Sequence, residues 1–228
     1  EGERMRLSDI DGLKFPDEYV IKFFFKEGLH KNSAKVLELG CANGNNARLF
    51  FEFGWSVVGV DFDQKSVDSA NMFFKNLKES EGFGADYTFV CSDMVDYVSN
   101  SNDSFDAIIL PNSLCYLTNE QIDVFLASIR DRGLLKSGGR LFIRTRLLSD
   151  YRYGRGEEIG KNSFRLTEKE TGEAGCVNTF FSDSGLVLKL KEFFSFRDYV
   201  SLNVLFENPQ NGRTVSNADI VFWATIEG

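Results

Sequence analysis

The side chains best suited to bind a ligand lie on either side of a glycine-containing turn near the beginning of the chain. Glu38 comes just before Gly40, the turn runs to Gly44, and a second carboxylate, Asp61, follows about 20 residues later. A carboxylate at that distance from a glycine turn is placed to accept hydrogen bonds from ribose hydroxyls. Ala42 occupies the position where a dinucleotide fold needs a glycine, and an ionised Glu38 would repel a diphosphate. These residues therefore predict a nucleoside ligand with a cationic amino acid end.

The segments around this turn predict one strand–helix–strand unit. Residues 36–39 are β-branched and aliphatic, which is typical of a buried parallel strand. Residues 45–51 predict a helix, with Asn45 or Asn46 as its N-cap. Residues 55–61 predict a second buried strand, and this strand ends on the second carboxylate.

The turn resembles the first motif of the class I S-adenosylmethionine-dependent methyltransferases, which has the form E/D-x-G-x-G-x-G. It stands here as Glu38-Leu39-Gly40-Cys41-Ala42-Asn43-Gly44, with alanine in place of the middle glycine. The resemblance implies S-adenosyl-L-methionine as the cofactor and S-adenosyl-L-homocysteine as its product. It implies cofactor contacts by residues of the motif and by those that follow it: Glu38, Gly40, Cys41, Ala42, Gly44, Asn45 and Asp61.

The same resemblance implies further cofactor contacts after the next strands. Phe62 follows the ribose-binding carboxylate and is expected to face the adenine ring. Asp93 is expected to accept a hydrogen bond from the adenine amino group, with Met94 supplying a backbone amide or an apolar face. Asp93 could equally be the N-cap of a helix over residues 94–98. Pro111, at the end of the fourth predicted strand, completes the implied cofactor site.

The acceptor is expected beside the segment that leaves the fourth strand, residues 111–117. Asn112 and Tyr116 are its candidate polar contacts. By analogy with methyltransferases of this size, residues 1–34 form a helical lid from which Tyr19 lines the pocket. A lone helical aromatic such as Tyr19 is otherwise typical of a core position.

A basic segment in an acidic chain suggests what the acceptor carries. Residues 140–165 hold seven Lys and Arg against Asp150 and two glutamates, whereas the whole chain has a net charge of −8. Arg144 and Arg146, at the end of the fifth predicted strand, together with Tyr151 and Arg165 in an apparent loop, are candidates to grip an anion. The alternative is a solvated face whose charges pair with neighbouring acids.

If the acceptor is anionic, several small molecules are candidates, and O-methylation is favoured. A sugar phosphate, a nucleotide-linked sugar, a carboxylate or a phosphoramidate-like group would fit. Tyr116 or Asp150 could act as general base, whereas an acceptor that is already ionised needs none. Strings near residues 172–180 and 206–220 resemble methyltransferases of bacterial surface-polysaccharide gene sets.

Strands and helices alternate through the first two thirds of the chain, which predicts a parallel sheet with helices on both faces. Residues 196–206 and 219–226 predict a terminal antiparallel hairpin. The fold class is therefore an α/β, Rossmann-like, seven-stranded methyltransferase sheet. We expect a single domain, in which 35–146 is the cofactor-binding core, 147–182 a substrate-side insert and 183–228 a final helix and hairpin.

Composition narrows the partners to small molecules. The negative net charge opposes nucleic-acid binding. The sequence shows neither an apolar membrane-spanning run nor a signal-peptide pattern at its start. Its four cysteines have no metal or disulfide spacing, which favours free thiols in a reducing cytoplasm and no metal site. A homodimer is left open.

Two other functions fit parts of the pattern. A nicotinamide-dependent oxidoreductase shares the strand–helix–strand unit, but Glu38, Ala42 and the terminal hairpin oppose it. A non-catalytic S-adenosylmethionine-binding protein would bind the cofactor and transfer nothing.

Overall fold

A seven-stranded sheet organises the chain in the computed structural model, which describes residues 12–82, 84–167, 169, 172–210 and 212–227. The strand order is β3-β2-β1-β4-β5-β10-β9, and a second sheet has the order β6-β7-β8. The strands are β1 Lys35–Leu39, β2 Ser56–Asp61, β3 Tyr87–Cys91, β4 Phe105–Pro111, β5 Leu135–Arg146, β6 Gly156–Gly160, β7 Ser163–Leu166, β8 Val177–Thr179, β9 Tyr199–Gln210 and β10 Arg213–Thr225. The helices are α1 Glu18–Lys26, α2 Asn45–Glu52, α3 Gln64–Glu81, α4 Met94–Asn100, α5 Asn119–Asp131 and α6 Gly185–Lys191.

The pairing of the large sheet confirms the predicted fold class. Strands β1 to β5 are parallel to one another, whereas β10 is antiparallel to both β5 and β9. The chain runs outward from β1 to β3 and then returns to place β4 on the other side of β1. The carboxyl ends of β1 and β4 therefore flank the switch point at which open α/β sheets bind ligands.

Helices cover both faces of the sheet, as predicted. Helices α1, α2 and α3 pack on one face, where their aromatic side chains dominate the core. Helices α4, α5 and α6 pack on the other. Helix α1 packs into the core, since Phe23 is fully buried. The centre of its ring lies 5.2 Å from that of Phe142 and 6.1 Å from that of Trp223. Residues 1–11 of the expected lid lie outside the described residues.

The terminal hairpin is longer than predicted. Strands β9 and β10 pair without a break from Ala224↔Tyr199 to Arg213↔Gln210, so strand structure extends beyond the predicted ranges 196–206 and 219–226. Strand β5 begins at Leu135, which pairs with Phe105, and helix α6 ends at Lys191.

The insert is ordered into a small sheet rather than the predicted loop. Strands β6, β7 and β8 are antiparallel and enclose a separate cluster of Phe164, Leu166 and Phe180. A bridge between Leu147 and Phe181 joins this region to the end of β5. The insert therefore stands at the carboxyl edge of the large sheet.

Replacing Phe23 by alanine tests whether α1 belongs to the core. We expect Phe23→Ala to lower the free energy of unfolding by about 3–5 kcal/mol, because it empties a fully buried aromatic position. The matched control is Phe25→Ala on the same helix, where the side chain is 44% exposed and the loss should be about 1 kcal/mol. Denaturant titrations measure both, and equal losses would contradict the packing described.

Candidate active site

A cavity of about 240 Å³ opens at the carboxyl ends of β1, β2, β3 and β4. Seven of the residues predicted to bind cofactor or acceptor line it: Gly40, Asp61, Phe62, Asp93, Met94, Asn112 and Tyr116. Val60, Ser92, Ser113 and Leu117 complete the lining and were not predicted. The structure thus brings residues from the loops after these four strands to one place.

The carboxylate of Asp61 holds the glycine turn in place. Its Oδ2 accepts the N–H of Ala42 at 2.8 Å, and its Oδ1 accepts the N–H of Asp63 at 3.0 Å. Ala42 has φ of 45°, in the left-handed region, where a non-glycine residue costs roughly 1–2 kcal/mol. The hydrogen bond to Asp61 offsets that strain, so the predicted ribose-binding carboxylate also fixes the shape of the turn.

Gly40 leaves the space at the centre of the site. It has φ of 76°, and a Cβ added to it would lie 2.5 Å from the Cβ of Ser113. Ser113 is itself fixed, because its Oγ donates to the carbonyl of Leu39 at 2.6 Å. A side chain at position 40 would close the cavity between β1 and β4.

Glu38 lies beneath the turn rather than at the mouth of the cavity. Its side chain is buried, Oε1 accepts from Asn46 Nδ2 at 2.8 Å, and Oε2 accepts the N–H of Ala47 at 2.9 Å. Burial raises the pKa of Glu38 to about 8, with a smaller contribution from Asp61 and against the two hydrogen bonds. Its burial and raised pKa oppose the ionised carboxylate predicted at the strand end, and Glu38 ties β1 to the first turn of α2.

Three asparagines, one in the turn and two directly after it, bind the segment that precedes α1. Asn43 Nδ2 donates to Leu13 O, Asn45 Nδ2 donates to Phe15 O, and Asn46 Oδ1 accepts the N–H of Asp17, all at 2.8–2.9 Å. The predicted N-cap by Asn45 or Asn46 is wrong, because Gly44 holds that position with φ of 81°. Segment 13–17 thus covers the glycine turn.

Cys41 supports the turn from behind. Its side chain is buried, and burial raises the pKa of the thiol. Cys115 is also buried, whereas Cys91 and Cys176 are exposed, and all four cysteines are free thiols.

Asp61, Asp93 and Phe62 form the side of the cavity next to β2 and β3. Phe62 is 83% exposed on the rim, so its apolar face is open to a ligand. Asp93 is the N-cap of α4, since its Oδ1 accepts the N–H of Val95 at 2.7 Å and of Asp96 at 3.3 Å. It also lines the cavity, so both functions predicted for Asp93 are compatible with its position.

The opposite side of the cavity is formed after β4. Asn112 has φ of 64°, its backbone N–H donates to Arg144 O at 2.9 Å, and its side chain is exposed. Tyr116 is 41% exposed, and its hydroxyl donates to Glu173 Oε1 at 3.0 Å. Pro111 is buried within β4 opposite Arg144 and does not line the cavity, so its predicted cofactor contact lacks support.

The two arginines at the end of β5 are both paired with acids. Arg144 donates to Asp219 Oδ2 at 2.7 and 2.9 Å and to Asp17 Oδ2 at 2.6 Å, and its guanidinium lies 5.4 Å from the ring centre of Tyr19. Arg146 donates to both oxygens of Glu173, at 2.6 and 2.7 Å. The charge excess counted over 140–165 is thus balanced by acids from outside that range, and Arg144 is not available to an anion.

The remaining predicted acceptor contacts lie farther out. Tyr151 is half-buried, and the Arg152 guanidinium lies 4.4 Å from its ring centre. Arg165 is exposed on β7 and donates to Gly175 O at 3.2 Å. Neither residue lines the cavity, so neither contact is supported.

The positions of Tyr116 and Asp150 oppose both predicted general bases. Burial raises the pKa of the Tyr116 phenol, which disfavours the phenolate that would accept a proton. Asp150 is 3% exposed and accepts from the backbone and side chain of Arg152 and from the N–H of Ala218. These contacts give Asp150 the structural task of fastening the insert to β10.

The described part of the chain places no three His, Cys, Asp or Glu side chains where they could share a metal ion. None of the helices in the same residues is long and apolar enough to cross a bilayer.

The residues that the sequence did not reveal are partners of those it did. Ser113 sits beside Gly40, and its place directly after Asn112 at the end of β4 was an available signal. Glu173, Asp17 and Asp219 hold the two arginines, but they are far away in the chain and carry no local motif.

The pH dependence of stability tests the state of Glu38. With an ordinary pKa of 4.5 in the unfolded chain and about 8 in the fold, native Glu38 keeps its proton between those values while the unfolded chain loses it. Wild-type stability should therefore fall relative to Glu38→Gln as pH rises from 5 to 8, by on the order of a few kcal/mol. Urea titrations at several pH values measure this slope, with Glu79→Gln on α3 as the control. A pH-independent difference would show that Glu38 is ionised throughout.

Comparison with known proteins agrees with the architecture. Residues 36–139, somewhat less than half of the chain, match the family described as a methyltransferase domain. No curated protein matches the chain. TehB from Haemophilus influenzae has a TM-score of 0.65 at 16% identity, over 96% of this chain and 64% of that chain, so the present chain spans less than two thirds of TehB.

Two further solved structures share the fold at similarly low identity. A SAM-dependent methyltransferase from Methanosarcina mazei has a TM-score of 0.64 at 17% identity, over 94% of this chain and 100% of that one. The 1,6-didemethyltoxoflavin-N1-methyltransferase of Burkholderia thailandensis, solved with bound 1,6-didemethyltoxoflavin and S-adenosylhomocysteine, has a TM-score of 0.61 at 15% identity, over 92% and 78%. The match of residues 36–139 to a methyltransferase domain and the order of the strands together show that the chain has the Rossmann-like methyltransferase fold.

Proposed function

We propose that the chain transfers the methyl group of S-adenosylmethionine to a small, anionic oxygen acceptor. The cofactor would occupy the cavity beside Asp61, and the acceptor would approach between Asn112 and Tyr116. One observation carries this assignment: the carboxylate of Asp61, the exposed face of Phe62 and the space left by Gly40 all meet in one cavity at the switch point of the sheet.

The residues present fit the cofactor. Asp61 directs its carboxylate along the cavity wall, where ribose hydroxyls could donate to it in addition to the N–H of Ala42. Phe62 offers an apolar face that is 83% exposed, suited to one side of an adenine ring. Asp93 and Met94 line the same end and can recognise the edge of the base.

When bound, S-adenosylmethionine supplies a methyl group already activated by its sulfonium. The protein is then left to orient the acceptor and to exclude water. Asn112 offers an exposed amide and Tyr116 a hydroxyl at the acceptor side of the cavity. Segment 13–17 is bound next to the glycine turn by Asn43 and Asn45.

The raised pKa of Tyr116 and the burial of Asp150 favour an acceptor that is ionised before it binds. Neither side chain is suited to take a proton, and the other carboxylates of the cavity, Asp61 and Asp93, are assigned to the cofactor. An acidic oxygen, such as a carboxylate or an acidic hydroxyl, needs no general base. Nucleotide-linked sugars of surface-polysaccharide synthesis and sugar phosphates belong in the same acceptor screen.

Cofactor binding tests the proposed site. Asp61→Asn should weaken binding of S-adenosylmethionine and S-adenosylhomocysteine by at least about tenfold, because an amide cannot accept every hydrogen bond that the carboxylate accepts. Asp68→Asn, on the exposed face of α3, should leave both affinities unchanged. Isothermal titration calorimetry with the two cofactors and with NADH measures these affinities. Equal affinities in the two variants, or preferential binding of NADH, would contradict the proposal.

Kinetics with an acceptor found in the screen test the absence of a base. Tyr116→Phe should reduce kcat by less than about tenfold, whereas loss of a general base typically reduces it by about 10²–10⁴-fold. The pH profile of kcat/KM should follow the ionisation of the acceptor in wild type and variant alike. A loss in the larger range would assign proton transfer to Tyr116.

A further inference from the structure

The carboxylate of Glu173 occupies a site whose groups converge on it from several elements. Arg146, on β5, donates to its two oxygens from Nη1 and Nη2 at 2.7 and 2.6 Å. Tyr116 donates to Oε1 at 3.0 Å, and Asn178 Nδ2 on β8 donates to Oε2 at 3.3 Å. The fork-to-fork geometry of Arg146 is the one that selects a planar carboxylate.

The receiving groups are buried, whereas the carboxylate that fills the site is partly accessible. Asn178 is fully buried, and the side chain of Arg146 is 9% exposed, compared with 19% for that of Glu173. Arg146 and Asn178 lie within strands, while Glu173 lies in the connection between β7 and β8. The two sheets thus position Arg146 and Asn178, whereas the carboxylate that they bind belongs to a loop residue.

Glu173 does not use all the hydrogen-bonding capacity around it. Arg152 Nε is buried and, among the described residues, has no hydrogen-bond partner, since it stands 3.6 Å from Glu173 Oε2. Asn178 Oδ1 is buried and equally unpartnered within that set. Buried polar atoms of this kind are uncommon in native folds, and Arg152 Nε is a donor that lies beside the carboxylate of Glu173.

The charges of the site favour a monoanion once Glu173 is displaced. Arg146 and Arg152 are balanced by Glu173 and by Asp150, which binds Arg152 at 3.0 Å. Without Glu173, one positive charge is left in a largely buried site. Gly172 and Gly175, with φ of 73° and 90°, flank Glu173, and a Cβ at either would meet no atom within 4 Å.

The site adjoins the cofactor cavity through one side chain. Tyr116 lines the cavity and also donates to Glu173, and the Arg146 guanidinium lies 5.5 Å from the ring centre of Tyr116. An anion held by Arg146 would therefore lie next to the space where the methyl group is delivered.

We propose that Arg146, Tyr116, Asn178 and Arg152 form a carboxylate-binding subsite for the methyl acceptor, and that Glu173 is an internal occupant which the acceptor's carboxylate displaces. The identification of the ligand as the acceptor rests on the proposed function; the carboxylate site itself is tested separately. In the free protein Glu173 neutralises the arginines, and an external anion must compete with it for the site. This competition lowers the apparent affinity of the site for every weaker anion.

Binding of small carboxylates to Glu173→Ala tests the proposal. Sodium benzoate is the probe, and benzamide is its neutral isostere. Acetate is a second probe, which tests whether a small carboxylate merely fills the space that Glu173→Ala leaves. Calorimetry should show benzoate binding to Glu173→Ala at least about tenfold more tightly than to wild type, because the internal competitor is gone. Benzamide should not bind, and Glu158→Ala, which removes an exposed carboxylate of β6, should behave as wild type.

Thermal melting keeps the test valid if Glu173→Ala is unstable. Benzoate should raise the Tm of Glu173→Ala more than that of wild type, and adding Arg146→Lys should abolish the difference. Acetate binding without benzoate binding would mean that Glu173 is only a structural ion pair and would overturn the proposal. Tighter binding of inorganic phosphate than of benzoate would overturn the carboxylate class.

A titration of the same samples with S-adenosylhomocysteine separates the two proposals. Glu173→Ala should keep wild-type affinity for it, since Glu173 does not line the cofactor cavity. If wild type does not bind S-adenosylhomocysteine, the proposed cofactor site is refuted. The benzoate result would then decide on the carboxylate-binding subsite alone.

Discussion

The hydrogen bond from the N–H of Ala42 to the carboxylate of Asp61 is the contact on which the site depends. It joins the ends of β1 and β2 and holds an alanine in a left-handed conformation that would otherwise be unfavourable. With the turn fixed, Gly40 faces Ser113 at the end of β4, and α2 starts directly at Asn45. The buried Glu38 then binds the first turn of that helix, so hydrogen bonds within the protein hold the turn that borders the cavity.

Paired charges connect this site to the rest of the protein. Arg144 links Asp17, the N-cap of α1, to Asp219 on β10, and therefore joins the first described helix to the terminal hairpin. Removing one member of such a largely buried set typically costs about 3–5 kcal/mol, because the remaining charge is left without a partner. Arg146 on β5 binds the insert in the same way through Glu173, and Arg152 pairs with Asp150 within the insert. The segments that border the acceptor side are thus fixed to the sheet by ion pairs.

The sequence predicted those parts of the molecule that follow from local pattern. The glycine turn, the parallel strands of apolar residues and the carboxylate after β2 each carry a short-range signal. The sheet confirms the strands, and Gly40 and Asp61 both line the cavity. The insert was mistaken for a loop because its strands are short and charged, as in Gly156–Gly160. The partners of Arg144 lie 75 and 127 positions away in the chain, and no local pattern indicates them. The protonation of Glu38 escaped prediction because burial is decided by how α2 packs on β1.

Isothermal titration calorimetry of Gly40→Ala with S-adenosylhomocysteine tests whether the cofactor binds in the space beside Asp61. The control is Gly133→Ala, at another glycine with positive φ, where an added Cβ would meet no atom within 4 Å. Both variants carry similar backbone strain, but only the first places a methyl group against Ser113. We expect folded Gly40→Ala, verified by circular dichroism, to lose binding by at least about a hundredfold while Gly133→Ala binds as wild type. Wild-type affinity in Gly40→Ala would contradict the account.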